Sequence, residues 1–180
     1  LAHLHLDARA ANEPASTTEC VQIGERQLLG MINLRGQTSK VTFGSTVKKI
    51  VGTALPDVNE TTGDPDGIYI LGLSPNEWLI ITRMGDEAQL QAALKAALTN
   101  LHTAITLTGD SMTVIRLTGM HARDVLAKGC PLDIHSRVFG SGQCAQTILA
   151  RAEMTLHQTE KDSFDIIVRR SFAEYVWTWL

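Results

Sequence analysis

The residues best suited to chemistry in this 180-residue sequence are its three cysteines and six histidines. Cys130, His135 and Cys144 come closest to a metal-ligand pattern, but Cys-x4-His is loose spacing and a tetrahedral site needs a fourth ligand. His3 and His5 form a second candidate pair near the start of the chain. Cys130 directly follows a predicted helix stop with no recognisable base beside it, so we expect a buried structural thiol. We therefore predict neither a bound metal nor a cysteine nucleophile.

Phosphate-binding and acid–base chemistry are no better supported. Residues 139–142 (FGSG) lack the third glycine of a dinucleotide fingerprint and lie between coil and strand, which predicts a turn. The G-x-S-x-G elbow of a serine hydrolase is missing. Asp64 and Asp66 lie in a polar loop, whereas an acid–base carboxylate needs surroundings that shift its pKa. The sequence thus favours a chain without its own active site.

Composition restricts the remaining classes. A net charge of -3 without a clustered basic region excludes a nucleic-acid binder, since phosphate recognition needs a positive footprint. No apolar run approaches the roughly 20 residues needed to cross a bilayer, and the first 12 residues do not form a signal peptide. An odd number of widely spaced cysteines is typical of reduced thiols. We expect a cytoplasmic globular protein that binds neither nucleic acid nor membrane.

The first half of the chain shows an alternation of strand and helix patterns. Residues 28–35 form an apolar run bounded by glycines, and an amphipathic stripe from Phe43 to Ala54 predicts a helix. Residues 57–67 predict an exposed loop because Gly, Pro, Asp and Thr dominate them. Two further elements follow: a hairpin over 68–73 and 77–83, and a helix from Asp86, where Gln89 resembles a capping-box partner.

The second half repeats this order. A strand at 112–118 is followed by a short helix that stops at Gly129 before Pro131. A hairpin over 143–150 and 154–158, a strand at 163–169 and a closing helix at 171–180 complete it. The repetition predicts an α+β fold of two split-βαβ (ferredoxin-like) halves, with helices packed on antiparallel sheets. Residues 1–20 are expected to be a loosely ordered lead-in. Residues 21–180 are expected to form one domain, with halves at about 28–107 and 112–180.

The closing helix is apolar on almost every side. Two apolar stripes leave only a narrow polar strip, and such a helix needs two covers, of which a partner chain could be one. The alternative is a helix buried wholly inside its own domain. We expect Trp177→Asp to abolish assembly while leaving the isolated fold intact. The predicted partner interface contains Arg169, Arg170, Phe172, Tyr175, Trp177 and Leu180.

Four motifs carry a resemblance to a known family. They are RDVLAKGCPLD at 123–133, GQCAQT at 142–147, VRRSFAEY at 168–175 and the turn LSPNEWL at 73–79. On these residues the sequence resembles the gamma subunits of heterotetrameric sarcosine oxidases, from about Leu28 to its end. That family is similar in fold to part of the folate-binding region of the glycine-cleavage T-protein, in agreement with the doubled split-βαβ pattern.

The resemblance implies a non-catalytic subunit of a complex that oxidises sarcosine to glycine. Such a complex makes hydrogen peroxide and releases formaldehyde or methylene-tetrahydrofolate. The resemblance implies that FAD, FMN, NAD and tetrahydrofolate are bound by the larger alpha and beta subunits and none by this chain, with a delta subunit as a further partner. A stand-alone folate-binding module of the T-protein type remains an alternative, with Asp133 or Glu77 as its carboxylate. A gamma-like subunit of another amine-oxidising complex is a third.

Overall fold

The computed structural model describes residues 20–27 and 29–180 of the chain. These residues divide into two compact units, the first at 29–110 and the second combining 20–27 with 111–180. Each unit contains a five-stranded sheet, and every strand pair in both sheets is antiparallel. None of the helices among the described residues is long and apolar enough to cross a membrane.

In chain order the elements of the first unit are β2 (Leu29–Arg35), α1 (Val41–Val51), β3 (Thr61–Gly63), β4 (Tyr69–Ser74), β5 (Glu77–Arg83), α2 (Asp86–Ala97) and β6 (Ala104–Leu107). The strand order in its sheet is β3-β4-β5-β2-β6. Helix α1 follows β2 and helix α2 follows β5, so β2, β4, β5 and β6 with the two helices form a split-βαβ arrangement.

The core of this unit lies between its sheet and both helices. The apolar stripe that predicts α1 is confirmed, since Phe43, Val47 and Val51 are buried against the sheet. Trp78 packs 5.6 Å from the Phe43 ring, and its indole nitrogen donates a 3.1 Å hydrogen bond to the Pro56 carbonyl. Burial of an indole requires such a partner for its N–H group.

Two local predictions for this unit are wrong. Asp86 and Gln89 do not form a capping box. Gly85, at φ 98°, precedes α2 instead and donates its N–H to the Glu87 carboxylate at 2.6 Å. The loop predicted at 57–67 contains the short strand β3, because residues 61–63 pair with β4 at the sheet edge.

The second unit has the same arrangement, with the strand order β1-β7-β10-β9-β8. Its elements are β1 (Gln22–Glu25), β7 (Met112–Thr118), α3 (Ala122–Ala127), β8 (Cys144–Leu149), β9 (Ala152–Glu160), β10 (Ser163–Arg169) and α4 (Ala173–Trp179), with a 3-10 turn at Arg170–Phe172 before α4.

Strand β1 occupies the same edge position in the second sheet as β6 occupies in the first. β6 pairs with β2 and follows its own unit's second helix, whereas β1 pairs with β7 and comes from the opposite end of the chain. Gln22 lies opposite Thr118 in this pairing. The second unit therefore completes its sheet with a strand that the sequence analysis assigned to neither half.

Candidate functional site

The closing segment, residues 169–180, divides into a buried and an exposed side. Ala173, Val176 and Trp177 are buried, and Trp177 is only 7% exposed. Trp179 and Leu180 are half-buried and pack against the core of the second unit. The exposed side contains Phe172 and Tyr175, each 40% exposed, together with Arg169 and Arg170. We call these four exposed residues the α4 patch.

The placement of Trp177 corrects one residue of the predicted interface. Trp177 lies in the core of its own unit, so it is not available to a partner. The two apolar stripes are nearly equal in sequence, and the packing of α4 on the sheet selects the buried side through Ala173, Val176 and Trp177. The other predicted residues are exposed or half-buried, and their role as an interface stays a prediction.

A close contact with Gly129 holds the end of α4. A Cβ atom on Gly129 would lie 2.4 Å from the Trp179 ring, so no larger residue fits without moving the indole. The Gly129 carbonyl also accepts a 2.8 Å hydrogen bond from the Ala150 N–H. Gly129 therefore lies just beyond α3, which ends at Ala127, and provides space for the last turn of α4.

Arg123 fixes the long connection between α3 and β8. Its guanidinium donates hydrogen bonds to the Ile134 carbonyl, to the Phe139 carbonyl at 3.1 Å and to Gln158 Oε1 at 2.8 Å. It also lies 5.0 Å over the Phe164 ring, at a distance typical of a cation–π contact. Arg123 begins the motif at 123–133, but the motif alone does not indicate these contacts.

A buried ion cluster joins the segment after β1 to the middle of the second sheet. Asp165 is fully buried on β10 and accepts hydrogen bonds from Arg116 Nε at 2.8 Å and Nη2 at 3.2 Å. Arg26 Nη1 adds a third at 2.6 Å. A buried carboxylate is stable only when it is paired and hydrogen-bonded. An aspartate inside the apolar strand SFDIIVR is the sequence feature that indicates such a buried ion pair.

His157 lies beside this cluster, opposite Asp165 in the sheet register. Burial lowers the pKa of His157 from 6.5 to about 4; Asp165 acts to raise it, and Arg26 and Arg116 act to lower it further. Because this pKa lies well below 7, the imidazole is neutral at physiological pH.

The residues considered for metal and thiol chemistry lie in structural positions. Cys130 is buried with its sulfur 3.7 Å from Thr147 Oγ1, and Cys144 is fully buried. Within residues 20–27 and 29–180, no group of three or more His, Cys, Asp or Glu residues could hold a metal ion. Residues 139–142 contain the predicted turn, closed by a hydrogen bond from the Gln143 N–H to the Gly140 carbonyl. His3 and His5 lie outside the described residues.

Glu77 and Asp133, considered as folate carboxylates, occupy different settings. Glu77 accepts hydrogen bonds from Asn33 at 2.8 Å and Arg35 at 2.9 Å in the first unit. Asp133 lines a cleft of about 420 Å³ between α3 and residues 130–136 of the second unit. We call it the α3 cleft.

Comparison with known proteins decides the family. Residues 35–180 match the model of the sarcosine oxidase, gamma subunit family. The chain belongs to this family. A sarcosine oxidase subunit gamma from Corynebacterium sp. (strain P-1) is 34% identical over 166 residues, which cover 92% of this chain and 80% of that protein. All four motifs that carried the resemblance lie within the matched residues.

Two solved structures support the gamma-subunit fold. A chain of the heterotetrameric sarcosine oxidase from Corynebacterium sp. U-96 matches with a TM-score of 0.82 at 30% identity, over 88% of this chain and 80% of that one. The glycine cleavage aminomethyltransferase T of Bartonella henselae matches with a TM-score of 0.65 at 11% identity, over 89% and 45% respectively. The second likeness shows the fold alone, and it confirms the predicted relation to the T-protein.

The state of His157 gives this gamma-family chain a predictable pH dependence. Since its folded pKa (about 4) lies below its unfolded pKa (6.5), the unfolded state binds the proton between these values. The stabilisation is complete above pH 6.5 and is lost as the pH falls toward 4. We expect about 2 kcal/mol less free energy of unfolding at pH 5 than at pH 7 from this residue.

Urea unfolding at both pH values, compared with a His157→Gln variant, measures this contribution. The variant should lose most of the difference between pH 7 and pH 5. An unchanged difference would show that His157 does not cause it.

Proposed function

We propose that this chain is a non-catalytic interaction subunit that joins a heterotetrameric sarcosine oxidase through the α4 patch. The observation that carries the proposal is the exposure of Phe172 and Tyr175, at 40% each, on a helix whose opposite side is fully packed. Aromatic side chains and arginine are enriched at protein interfaces, where they supply most of the binding energy.

The α4 patch is held in place before any partner binds. Val176 and Trp177 fix the buried side of the helix, and the contact between Trp179 and Gly129 fixes its end. A preorganised surface loses little conformational entropy on association. Arg169 and Arg170 come just before the two aromatics in the chain, so a complementary partner surface would combine an apolar region with neighbouring carboxylates.

The chemistry of the complex belongs, in this proposal, to its other subunits. The complex oxidises sarcosine to glycine in the cytoplasm and yields hydrogen peroxide together with formaldehyde or methylene-tetrahydrofolate. The larger alpha and beta subunits bind FAD, FMN, NAD and tetrahydrofolate, and a delta subunit is a further partner. Family membership supports this assignment, as does the likeness to a chain of a heterotetrameric sarcosine oxidase from another organism.

A double variant of the α4 patch tests the proposal. Phe172→Asp with Tyr175→Asp should weaken binding to the co-expressed larger subunits by about 100-fold or more, because buried aromatic contacts contribute on the order of 2 kcal/mol each. The isolated double variant should keep its circular dichroism spectrum. Co-purification and size-exclusion chromatography measure the loss.

The matched control changes two exposed apolar residues of the first unit, Val41→Asp with Met84→Asp. These side chains are 87% and 65% exposed, and their substitution should leave assembly unchanged. If the control and the α4 patch variant assembled equally well, the α4 patch would not be the interface.

A stand-alone folate-binding module is the second candidate, favoured only by the likeness of fold to a T-protein. The isolated chain separates the two candidates. Isothermal titration with tetrahydrofolate should give no binding heat at millimolar ligand if the chain is an interaction subunit, whereas stoichiometric binding would favour the folate module.

A further inference from the structure

The α3 cleft combines an apolar floor with a polar rim. Its volume is about 420 Å³, its floor is formed by Cys130 and Ile134, and the half-buried Leu132 and the exposed Ala127 complete its apolar lining. Cys130 and Ile134 are nearly fully buried, so this floor is continuous with the core of the second unit. A floor of this kind is suited to an aliphatic group rather than to an ion.

Two aspartates at the rim are each oriented by a hydrogen bond. Asp124 Oδ2 lies 2.7 Å from His121 Nδ1, and Asp133 Oδ1 accepts a 3.0 Å bond from the His135 N–H. Each of these bonds engages one of the two oxygens of its carboxylate. Both aspartates are exposed and line the cleft. The rim is thus suited to a cationic donor.

Arg123 also lines the cleft, but its guanidinium is directed inward. It bonds the Ile134 and Phe139 carbonyls and Gln158 and lies over the Phe164 ring. The other titratable groups on its lining are Asp124, Asp133, His135 and the buried Cys130 thiol. His121 pairs with Asp124 at the rim. Lys128 and Arg137 are close in sequence but do not line it.

We infer that the α3 cleft is a second docking point, for a segment of a larger subunit that presents a lysine or arginine beside an aliphatic side chain. The inference rests on the proposed function. A small molecule fits less well, because ligand pockets bury 70–90% of their ligand and this rim is open at Asp124, Asp133 and His135. A chain segment can cover such a rim itself.

The negative charge of the rim gives a further physical reason for the inference. The α4 patch carries two arginines, whereas the α3 cleft carries two aspartates. Two docking points of opposite charge accept a partner in one orientation and repel the reversed one, which gives specificity rather than affinity alone.

Charge reversal at the rim tests the inference. Asp124→Lys with Asp133→Lys should weaken binding to the purified larger subunits by about tenfold or more at low salt, and by less as salt screens the rim. Asp124→Asn with Asp133→Asn should give a smaller loss, because it removes the two charges without reversing them and keeps the Oδ1 acceptor for the His135 N–H. The control pair, Asp66→Lys with Glu153→Lys, reverses two exposed carboxylates outside the cleft and should leave the affinity unchanged.

Three results would overturn the inference. The first is equal affinity of the charge-reversed and unmodified chains. The second is an equal loss in the control pair. The third is stoichiometric binding of dimethylammonium that Asp124→Asn with Asp133→Asn removes, which would assign the cleft to a small organic cation. Failure of the unmodified chain to bind the larger subunits is a separate result, which would overturn the proposed function as well.

Discussion

An Asp165→Ala variant should lose about 3–5 kcal/mol of free energy of unfolding, because it leaves Arg26 and Arg116 as partly buried charges without their carboxylate. Asp165 is fully buried, so water does not replace the lost partner. The loss is comparable with half of the total stability of an ordinary domain. Chemical denaturation followed by far-UV circular dichroism measures it.

The same variant should loosen β1. Arg26 directly follows this strand, and its bond to Asp165 is a side-chain link from the segment to β10. Amide hydrogen exchange over residues 22–25 should therefore accelerate more than exchange in β9. Glu153→Ala, which removes an exposed carboxylate from β9, is the control and should change stability by less than about 0.5 kcal/mol. Equal losses in the two variants would contradict the structural role of the cluster.

A Trp177→Ala variant should lose about 3–5 kcal/mol, the usual cost of truncating a large buried aromatic. Trp177→Asp should unfold the second unit, because it also buries a carboxylate in an apolar core. This expectation replaces the one from the sequence, in which Trp177→Asp leaves the isolated fold intact. Thermal melting of the isolated variants measures both effects.

Tyr175→Ala is the matched control on the same helix. Its side chain is 40% exposed, so its removal should change stability by less than about 1 kcal/mol. The two positions therefore separate folding from assembly: Trp177 variants lose stability or unfold, whereas α4 patch variants fold and fail to assemble. A folded Trp177→Asp chain would place this residue outside the core.

Local periodicity was sufficient to predict the helices and the longer strands in their order, but not the short strands β1, β3 and β6. The stripe at Phe43, Val47 and Val51 identifies α1 because helical spacing places these side chains on one face whatever the partner. The Gly129–Pro131 pair places the end of α3 to within two residues, since the helix ends at Ala127 and a proline cannot continue it. The four motifs gave the family, which the comparisons establish.

Local sequence patterns gave wrong predictions where the structure depends on the exact first residue of a helix or on pairing with a distant strand. Asp86 and Gln89 have the spacing of a capping box. The N-cap of α2 is Gly85, however, so Asp86 is already the first residue of the helix. Residues 61–63 carry turn-forming residues, but pairing with β4 gives them extended structure. In both cases a weak local preference was outweighed by the neighbouring backbone.

The sequence by itself determined the doubled strand–helix–hairpin–helix order and the closing helix with its excess of apolar surface. Only the tertiary structure decided that β1 completes the second sheet, that Asp165 holds two arginines and that Trp177 faces inward. The reason is the range of the interactions. Helical and strand periodicity are properties of neighbouring residues, whereas the side of α4 that is buried depends on a sheet assembled from both ends of the chain.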